Sequence, residues 1–184
     1  MLAEYQACQT TPTMSLLERQ TRSRQCWRAP SADMEKINFD GAVFSGENKL
    51  GINIVIRDSS GLVIASCSKK LQQAYNSAEV EALAVAMALS FAVDIGINRA
   101  ILEGDSLNVI TALSQDAPIM SSIGPWIDDA KVYSNSFFKL QYSHTRRECN
   151  AVAHNLARYA IDIPYFIVWM EDVHHMFHLF SRLI

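Results

Sequence analysis

Apolar and polar residues alternate in three successive stretches near the start of the chain, and this pattern predicts three β-strands. The stretches span residues 36–42, 50–57 and 62–69. A period of two places successive side chains on opposite faces of a sheet. The turn sequence Asp-Ser-Ser-Gly at 58–61 joins the last two stretches in the manner of a hairpin. We therefore expect these strands to open the domain as an antiparallel meander.

A helical pattern follows the meander and then alternates with further strands. Asn76 and Glu79 have the spacing of a capping box, and a run rich in alanine, leucine and methionine extends from there to Gly96, a typical helix-ending residue. The remaining predicted elements are a strand over 97–103, a helix capped by Ser106 and ending at about 114, a helix over 126–134, a strand over 137–143 and a helix over 150–161. This order indicates an α/β fold with a five-stranded mixed sheet, its first three strands antiparallel, flanked by helices.

Composition divides the chain into a folded domain and two flanking segments. Residues 1–26 lack both periodicities and carry arginines, so we expect a flexible basic leader that is either a spacer or a nucleic-acid-binding arm. Residues 27–164 form the domain, with Trp27 packed against the sheet edge. Residues 165–184 are an apolar tail that we expect to be partly helical, with three histidines on the surface of its amphipathic end.

Charge and cysteine content restrict the function without deciding it. The 184 residues are 49% hydrophobic and 19% charged, and the formal net charge is -3. Affinity for nucleic acid therefore requires local basic clusters or bound metal ions. The four cysteines form no C-x-x-C pair, which indicates a reducing compartment. With neither a secretory signal nor a membrane-spanning run recognised, we expect a soluble, monomeric, intracellular protein, nuclear or cytoplasmic.

Three acids lie in separate predicted elements. Asp40 is in the first strand, Glu81 is near the start of the long helix on its apolar stripe, and Asp105 follows the fourth strand. Phosphodiester hydrolysis by two hard divalent cations, about 3.5–4 Å apart, uses carboxylates from separate elements in this way. Strand ends and helix ends converge in open mixed sheets, so these acids can meet there. Glu79 is explained as a cap, and Glu103 is either an auxiliary ligand or a solvated acid.

Four motifs in sequence order carry a family resemblance. They are K-x-N-x-D-G-A at 36–42, A-E-V-E-A-L-A at 78–84, E-x-D-S at 103–106 and R-E-x-N-x-V-A-H-x-L-A at 147–157. Together they resemble the type 1 ribonuclease H family, and most of all its plant, retroelement-derived domains associated with reverse transcriptases. The resemblance implies a five-stranded mixed sheet flanked by helices. It also implies hydrolysis of the RNA strand of RNA–DNA hybrids with two Mg²⁺ or Mn²⁺ ions.

The same resemblance assigns roles to individual residues. Asp40, Glu81 and Asp105 match the first three of four metal-binding acids, whereas His154 stands where the fourth is expected. A neutral imidazole is a softer ligand poorly suited to magnesium, so activity is weakened, shifted toward manganese or lost. His144 matches a mobile-loop histidine thought to assist proton transfer or product release. Its chemistry alone leaves a structural or merely exposed role open.

Five residues are expected to contact nucleic acid. By resemblance, Asn38, Asn76 and Ser77 lie near the substrate groove, where such side chains can reach 2′-hydroxyls. Arg146 and Arg147 flank the loop before the last helix and either meet phosphate or remain solvated charges. Three functions stay open: a hybrid-cleaving nuclease, a non-catalytic nucleic-acid-binding module that keeps the fold, and a protein-interaction domain that uses the apolar tail.

Overall fold

The computed structural model describes residues 27–116 and 119–170, which form six strands and four α-helices. The strands are β1 (Glu35–Phe44), β2 (Lys49–Arg57), β3 (Val63–Leu71), β4 (Arg99–Gly104), β5 (Lys139–His144) and β6 (Phe166–Met170). The helices are α1 (Ser77–Asp94), α2 (Leu107–Leu113), α3 (Gly124–Ser134) and α4 (Ala151–Tyr159). The predicted leader, 1–26, and the tail from 171 onward lie outside the described residues.

The six described strands form one mixed sheet in the order β5-β4-β1-β2-β3-β6. The neighbours β1–β2, β2–β3 and β3–β6 pair antiparallel, whereas β1–β4 and β4–β5 pair parallel. The predicted α/β class and antiparallel meander are therefore confirmed. The predicted count of five strands is wrong, because the run Phe166–Met170, rich in branched and aromatic residues, pairs with the open edge of β3. The described beginning of the predicted tail is thus a strand.

Local sequence explains where the elements begin and end. The Asn76 side chain accepts a hydrogen bond from the Glu79 backbone, and the Glu79 side chain accepts one from the Asn76 backbone, so the capping box is confirmed. Gly61 and Gly96 adopt positive φ values of 82° and 84°, which end a turn and a helix at little steric cost. Ser106 occupies the N-cap position of α2, but its side chain makes no capping hydrogen bond.

Helices cover both faces of the sheet. α1 packs against β1, β2 and α3, and its apolar side chains join those of the strands in the main core. α4 packs against β1 and β2 on the face that carries Asn38, since Asn150 at the start of α4 hydrogen-bonds to Asn38. A side chain at Gly51 in β2 would overlap the carbonyl oxygen of Ala157, so glycine allows α4 to approach closely. Among the described residues, no helix has the length and apolarity needed to cross a membrane.

Candidate metal centre

Three carboxylates from three separate elements converge at one end of the sheet. Asp40 lies in the middle of β1, Glu81 in the second turn of α1, and Asp105 directly after β4. One oxygen from each of these acids lies within 4.8 Å of the others. The structure thus brings together the three acids that the sequence singled out. They form a pocket of oxygen ligands of the kind that binds hard divalent cations.

Two packing features position these acids. Parallel pairing aligns Asn38 with Glu103, so Asp105 leaves the end of β4 two residues beyond, next to Asp40. On the other side, a Cβ atom at Gly41 would overlap the side chain of Val80 and lie 3.0 Å from its carbonyl oxygen. The absence of a side chain at Gly41 therefore lets α1 contact β1 and places Glu81 beside Asp40.

The carboxylates of the cluster are buried close to one another, which affects their charge and hydrogen bonding. Asp40 is fully buried and Glu81 is 6% exposed. Burial, with the negative charges of Asp40 and Asp105, raises the pKa of Glu81 to about 10. One buried oxygen of each acid has no hydrogen-bond partner among the described residues: Asp40 Oδ1, Glu81 Oε2 and Asp105 Oδ1. Since buried polar atoms are normally paired, these three oxygens fit a divalent cation.

His154 on α4 contacts the cluster from the other side. Its Nδ1 donates a hydrogen bond to Asp40 Oδ2 at 2.6 Å, with the histidine side chain 20% exposed. The group of ligand atoms that lie within 4.8 Å of one another contains no atom of His154. The role of His154 as a metal ligand therefore stays a prediction. In the described structure, His154 is a hydrogen-bond partner of Asp40.

Other predicted residues surround the carboxylates at the surface. Arg147 Nε donates to Asp105 Oδ2 at 3.1 Å, and this hydrogen bond raises the pKa of the arginine. His144 ends β5 opposite Gly104 and is exposed, as is Arg146. Asn76 and Ser77, also exposed, begin α1. Ser77 precedes Glu81 by one helical turn, so both belong to the same side of α1.

Asn38 is the exception among the predicted nucleic-acid contacts. It is fully buried. Its Nδ2 donates to Glu103 Oε1 and Asn150 Oδ1, and its Oδ1 accepts from Trp27 Nε1 and Arg57. The burial of this side chain does not support the contact with nucleic acid expected for Asn38, and that contact stays a prediction. Four protein partners take the hydrogen-bonding capacity that a substrate would need.

Asn38 belongs to a buried polar network that sequence reasoning missed. Lys36 Nζ lies 2.9 Å from Glu103 Oε2 and Glu103 is buried, so Glu103 is not a solvated acid, and its role as an auxiliary ligand stays a prediction. The Arg57 guanidinium carbon lies 3.9 Å from the centre of the Trp27 ring, which agrees with the expected packing of Trp27 against the sheet. Burial lowers the pKa of Arg57 to about 10, and Glu103 opposes this shift. The sequence contained one indication of this network: the alternation of β1 puts Lys36 and Asn38 on the same face as Asp40.

Asn150 links this network to α4. Its Nδ2 donates to the carbonyl oxygen of Phe39 at 2.8 Å, immediately before Asp40 in the chain. The backbone N–H of His154 in turn donates to the carbonyl oxygen of Asn150. These two hydrogen bonds fix the first turn of α4 against β1 and hold His154 near Asp40. The sequence motif contained Asn150, but its role as a connection between elements required the structure.

The family follows from comparison with known proteins. A family model described as reverse transcriptase-like matches residues 38–160, a range that contains all three clustered acids and His154. The chain belongs to this family. No curated protein matches the sequence significantly. The plant and retroelement origins of this reverse transcriptase-like domain stay predictions.

Solved structures give the fold of the domain. RNase H1 from Halobacterium salinarum NRC-1 is 24% identical with a TM-score of 0.65, over 70% of this chain and 98% of that one. The N-terminal RNase H domain of rv2228c from Mycobacterium tuberculosis is 21% identical with a TM-score of 0.64, over 70% of this chain and 94% of that one. LC11-RNase H1 in complex with an RNA/DNA hybrid is 20% identical with a TM-score of 0.62, over 70% of this chain and 96% of that one. The fold is therefore that of a type 1 ribonuclease H.

Proposed function

We propose that this protein binds nucleic acid and hydrolyses the RNA strand of RNA–DNA hybrids with a divalent metal ion. The convergence of Asp40, Glu81 and Asp105, each with a buried oxygen that lacks a partner, carries the proposal. The solved complex of LC11-RNase H1 with a hybrid supports the substrate class, because that protein shares the fold. We further expect an intracellular monomer.

Asp40, Glu81 and Asp105 would hold the ion, which is Mg²⁺ or Mn²⁺. When bound, such an ion lowers the pKa of a coordinated water and neutralises charge on the phosphate. The sequence led us to expect two ions. A second ion that used Asp40 Oδ2 would have to displace the hydrogen bond from His154 Nδ1. One ion is supported by the three oxygens that lack a partner, whereas a second ion at Asp40 Oδ2 would compete with His154.

The exposed residues around the carboxylates supply the expected substrate contacts. Arg147 keeps further guanidinium N–H donors beyond the one bonded to Asp105, so it can bind a phosphate beside the cluster. Arg146 lies next to it in the chain and is exposed. Asn76 and Ser77, at the start of the helix that carries Glu81, can meet the sugar side of the RNA strand. His144 is exposed at the same sheet end, where a proton-transfer role is consistent with its position.

A non-catalytic nucleic-acid-binding module is the second candidate. One observation favours it: His154 hydrogen-bonds to the carboxylate that a second ion would need. In that case the groove and its basic residues would bind a hybrid or duplex without turnover. This candidate and the nuclease predict the same binding and differ only in cleavage.

Cleavage of a hybrid with labelled RNA, in Mg²⁺ and separately in Mn²⁺, tests the proposal. We expect cleavage by the wild-type chain and a loss of at least about 100-fold in Asp40→Asn, since the ion would lose a ligand. Asp128→Asn, an exposed acid on α3, is the matched control and should cleave like the wild type. Fluorescence anisotropy with the same hybrid separates binding from turnover. Binding without cleavage in either metal would establish the second candidate, and unchanged cleavage by Asp40→Asn would remove the site.

A further inference from the structure

Two acids of the carboxylate cluster each have one oxygen bound by a side chain from the same short segment, residues 147–154, which runs from the turn before α4 into that helix. Arg147 Nε donates to Asp105 Oδ2 at 3.1 Å. His154 Nδ1 donates in the same way to Asp40 Oδ2 at 2.6 Å. The other oxygen of each acid, Oδ1, is buried and has no hydrogen-bond partner among the described residues. Each acid thus has one oxygen on a protein N–H group and one oxygen available to an ion.

The contact made by Arg147 is the one that can open more easily. Its side chain is 64% exposed, whereas the side chains of Asp105 and His154 are 9% and 20% exposed. His154 is also fixed through its backbone N–H, which donates to the carbonyl oxygen of Asn150. An exposed ion pair contributes little to stability, so the guanidinium can leave Asp105 at small cost. Arg147 is therefore the displaceable partner of the cluster.

The Arg147 guanidinium lies close to all three acids of the cluster. Its hydrogen bond to Asp105, together with the negative charges of the three acids, raises the pKa of the arginine. The positive charge of Arg147 is therefore next to the position that a divalent cation would enter. Two positive charges a few ångström apart repel each other, and salt screens so short a separation only in part. The free protein should thus hold a metal ion less tightly than the three acids alone would.

We propose that Arg147 makes metal binding depend on nucleic acid, by moving from Asp105 to a phosphate when the substrate binds. This coupling rests on the proposed function, because it requires the three acids to hold a divalent ion. Without substrate, the guanidinium stays on Asp105 and opposes the ion. With substrate, a phosphate binds the guanidinium, whose planar N–H donors match two phosphate oxygens, and Asp105 is left to the ion. By linkage, the ion strengthens the binding of nucleic acid by the same factor.

Calorimetric titration of the free protein with Ca²⁺ tests the repulsion between Arg147 and the ion. Ca²⁺ takes the same oxygen ligands as Mg²⁺, and as a larger ion it activates water less, so it also suits experiments with an intact hybrid. Arg147→Gln removes the charge and should bind Ca²⁺ about fivefold more tightly than the wild type. Arg147→Lys keeps the charge and should stay within about twofold of the wild type, which a merely structural role of the arginine would not predict.

Arg28→Gln is the matched control, because it removes the same charge from an exposed arginine. Arg28 adjoins Trp27, whose ring centre lies 5.4 Å from the Nζ atom of Lys36. Lys36 precedes Asp40 by four residues in β1, or about 13 Å along the strand. The Ca²⁺ affinity of Arg28→Gln should therefore equal that of the wild type within about twofold, since a charge so far from the acids is largely screened.

Fluorescence anisotropy with a labelled RNA–DNA hybrid tests the movement of Arg147 to phosphate. The dissociation constant of the hybrid is measured for each protein in EDTA and in saturating Ca²⁺, and the ratio of the two values is the coupling factor. In the wild type, Ca²⁺ removes a repulsion that the phosphate has already relieved at Arg147. The coupling factor of the wild type should therefore be about fivefold larger than that of Arg147→Gln, and Arg28→Gln should retain the wild-type factor.

The outcomes separate the coupling from the proposed function. Equal Ca²⁺ affinities of the free wild type and Arg147→Gln, with binding lost in Asp40→Asn, would overturn the coupling and leave the metal centre in place. Equal coupling factors in the two proteins would also overturn it, because Arg147 would then stay on Asp105 when the hybrid binds. If neither the wild type nor Arg147→Gln bound Ca²⁺, both the coupling and the metal centre of the proposed function would be overturned.

Discussion

Replacing His154 by aspartate should destabilise the metal-free protein. The substitution removes the hydrogen bond from Nδ1 to Asp40 Oδ2 and puts a fourth carboxylate beside a fully buried one. A hydrogen bond to a charged group contributes about 1.5–3 kcal/mol, and the new repulsion between carboxylates adds to its loss. We therefore expect His154→Asp to lower the free energy of unfolding by about 3 kcal/mol in EDTA. For a chain of this size, the Tm falls by about 10 °C.

Thermal unfolding followed by circular dichroism, with EDTA and then with millimolar Mg²⁺, measures the effect. Magnesium should restore more stability to His154→Asp than to the wild type, because the added carboxylate increases affinity for the ion in the folded state alone. His154→Asn is the matched control, since an amide can still donate to Asp40 and adds no charge. It should lose less than half as much stability. A His154→Asp variant as stable as the wild type in EDTA would refute the reasoning.

Two further predictions concern the neighbours of Asp40. Because the pKa of Glu81 is raised to about 10, its stabilising contribution is complete below about pH 4.3 and is lost as the pH rises through 10. Urea unfolding in EDTA should therefore show a decline with pH, of at most about 1.4 kcal/mol per unit, that Glu81→Gln lacks. Gly41→Ala should cost about 2–3 kcal/mol by pushing α1 from β1, whereas Gly46→Ala, with nothing within 4 Å, should change stability by less than about 0.5 kcal/mol. Equal effects of the two alanines in urea unfolding would contradict the close contact at Gly41.

Local patterns were enough to predict most of the elements and the three clustered acids. The alternation of β1, β2 and β3 and the capping box at Asn76 depend on neighbouring residues in sequence, so they can be read without the fold. The acids could be placed because each stands at a strand or helix position that the topology brings to one end of the sheet. The element order brings them to one end of the sheet, and the glycine at 41 lets α1 approach β1 closely.

The features that escaped prediction depend on pairing between distant residues. Asn38 looks like an exposed polar residue of β1, yet its partners Trp27, Glu103 and Asn150 come from other parts of the chain. The sixth strand was missed for a similar reason. The run Phe166–Met170 is too short for its periodicity to distinguish strand from helix, and only the open edge of β3 decides.

The contact between His154 and Asp40 bears both on the stability of this domain and on its proposed activity. The oxygens of the three acids lie within 4.8 Å of one another, and burial together with the charges of Asp40 and Asp105 raises the pKa of Glu81. His154 holds the second oxygen of Asp40 by a hydrogen bond and leaves Oδ1 for an ion. This hydrogen bond would stabilise the metal-free folded state, and under the proposed function a second ion at Asp40 Oδ2 would have to displace it. We therefore expect the same histidine both to stabilise the metal-free protein and to weaken the proposed catalysis.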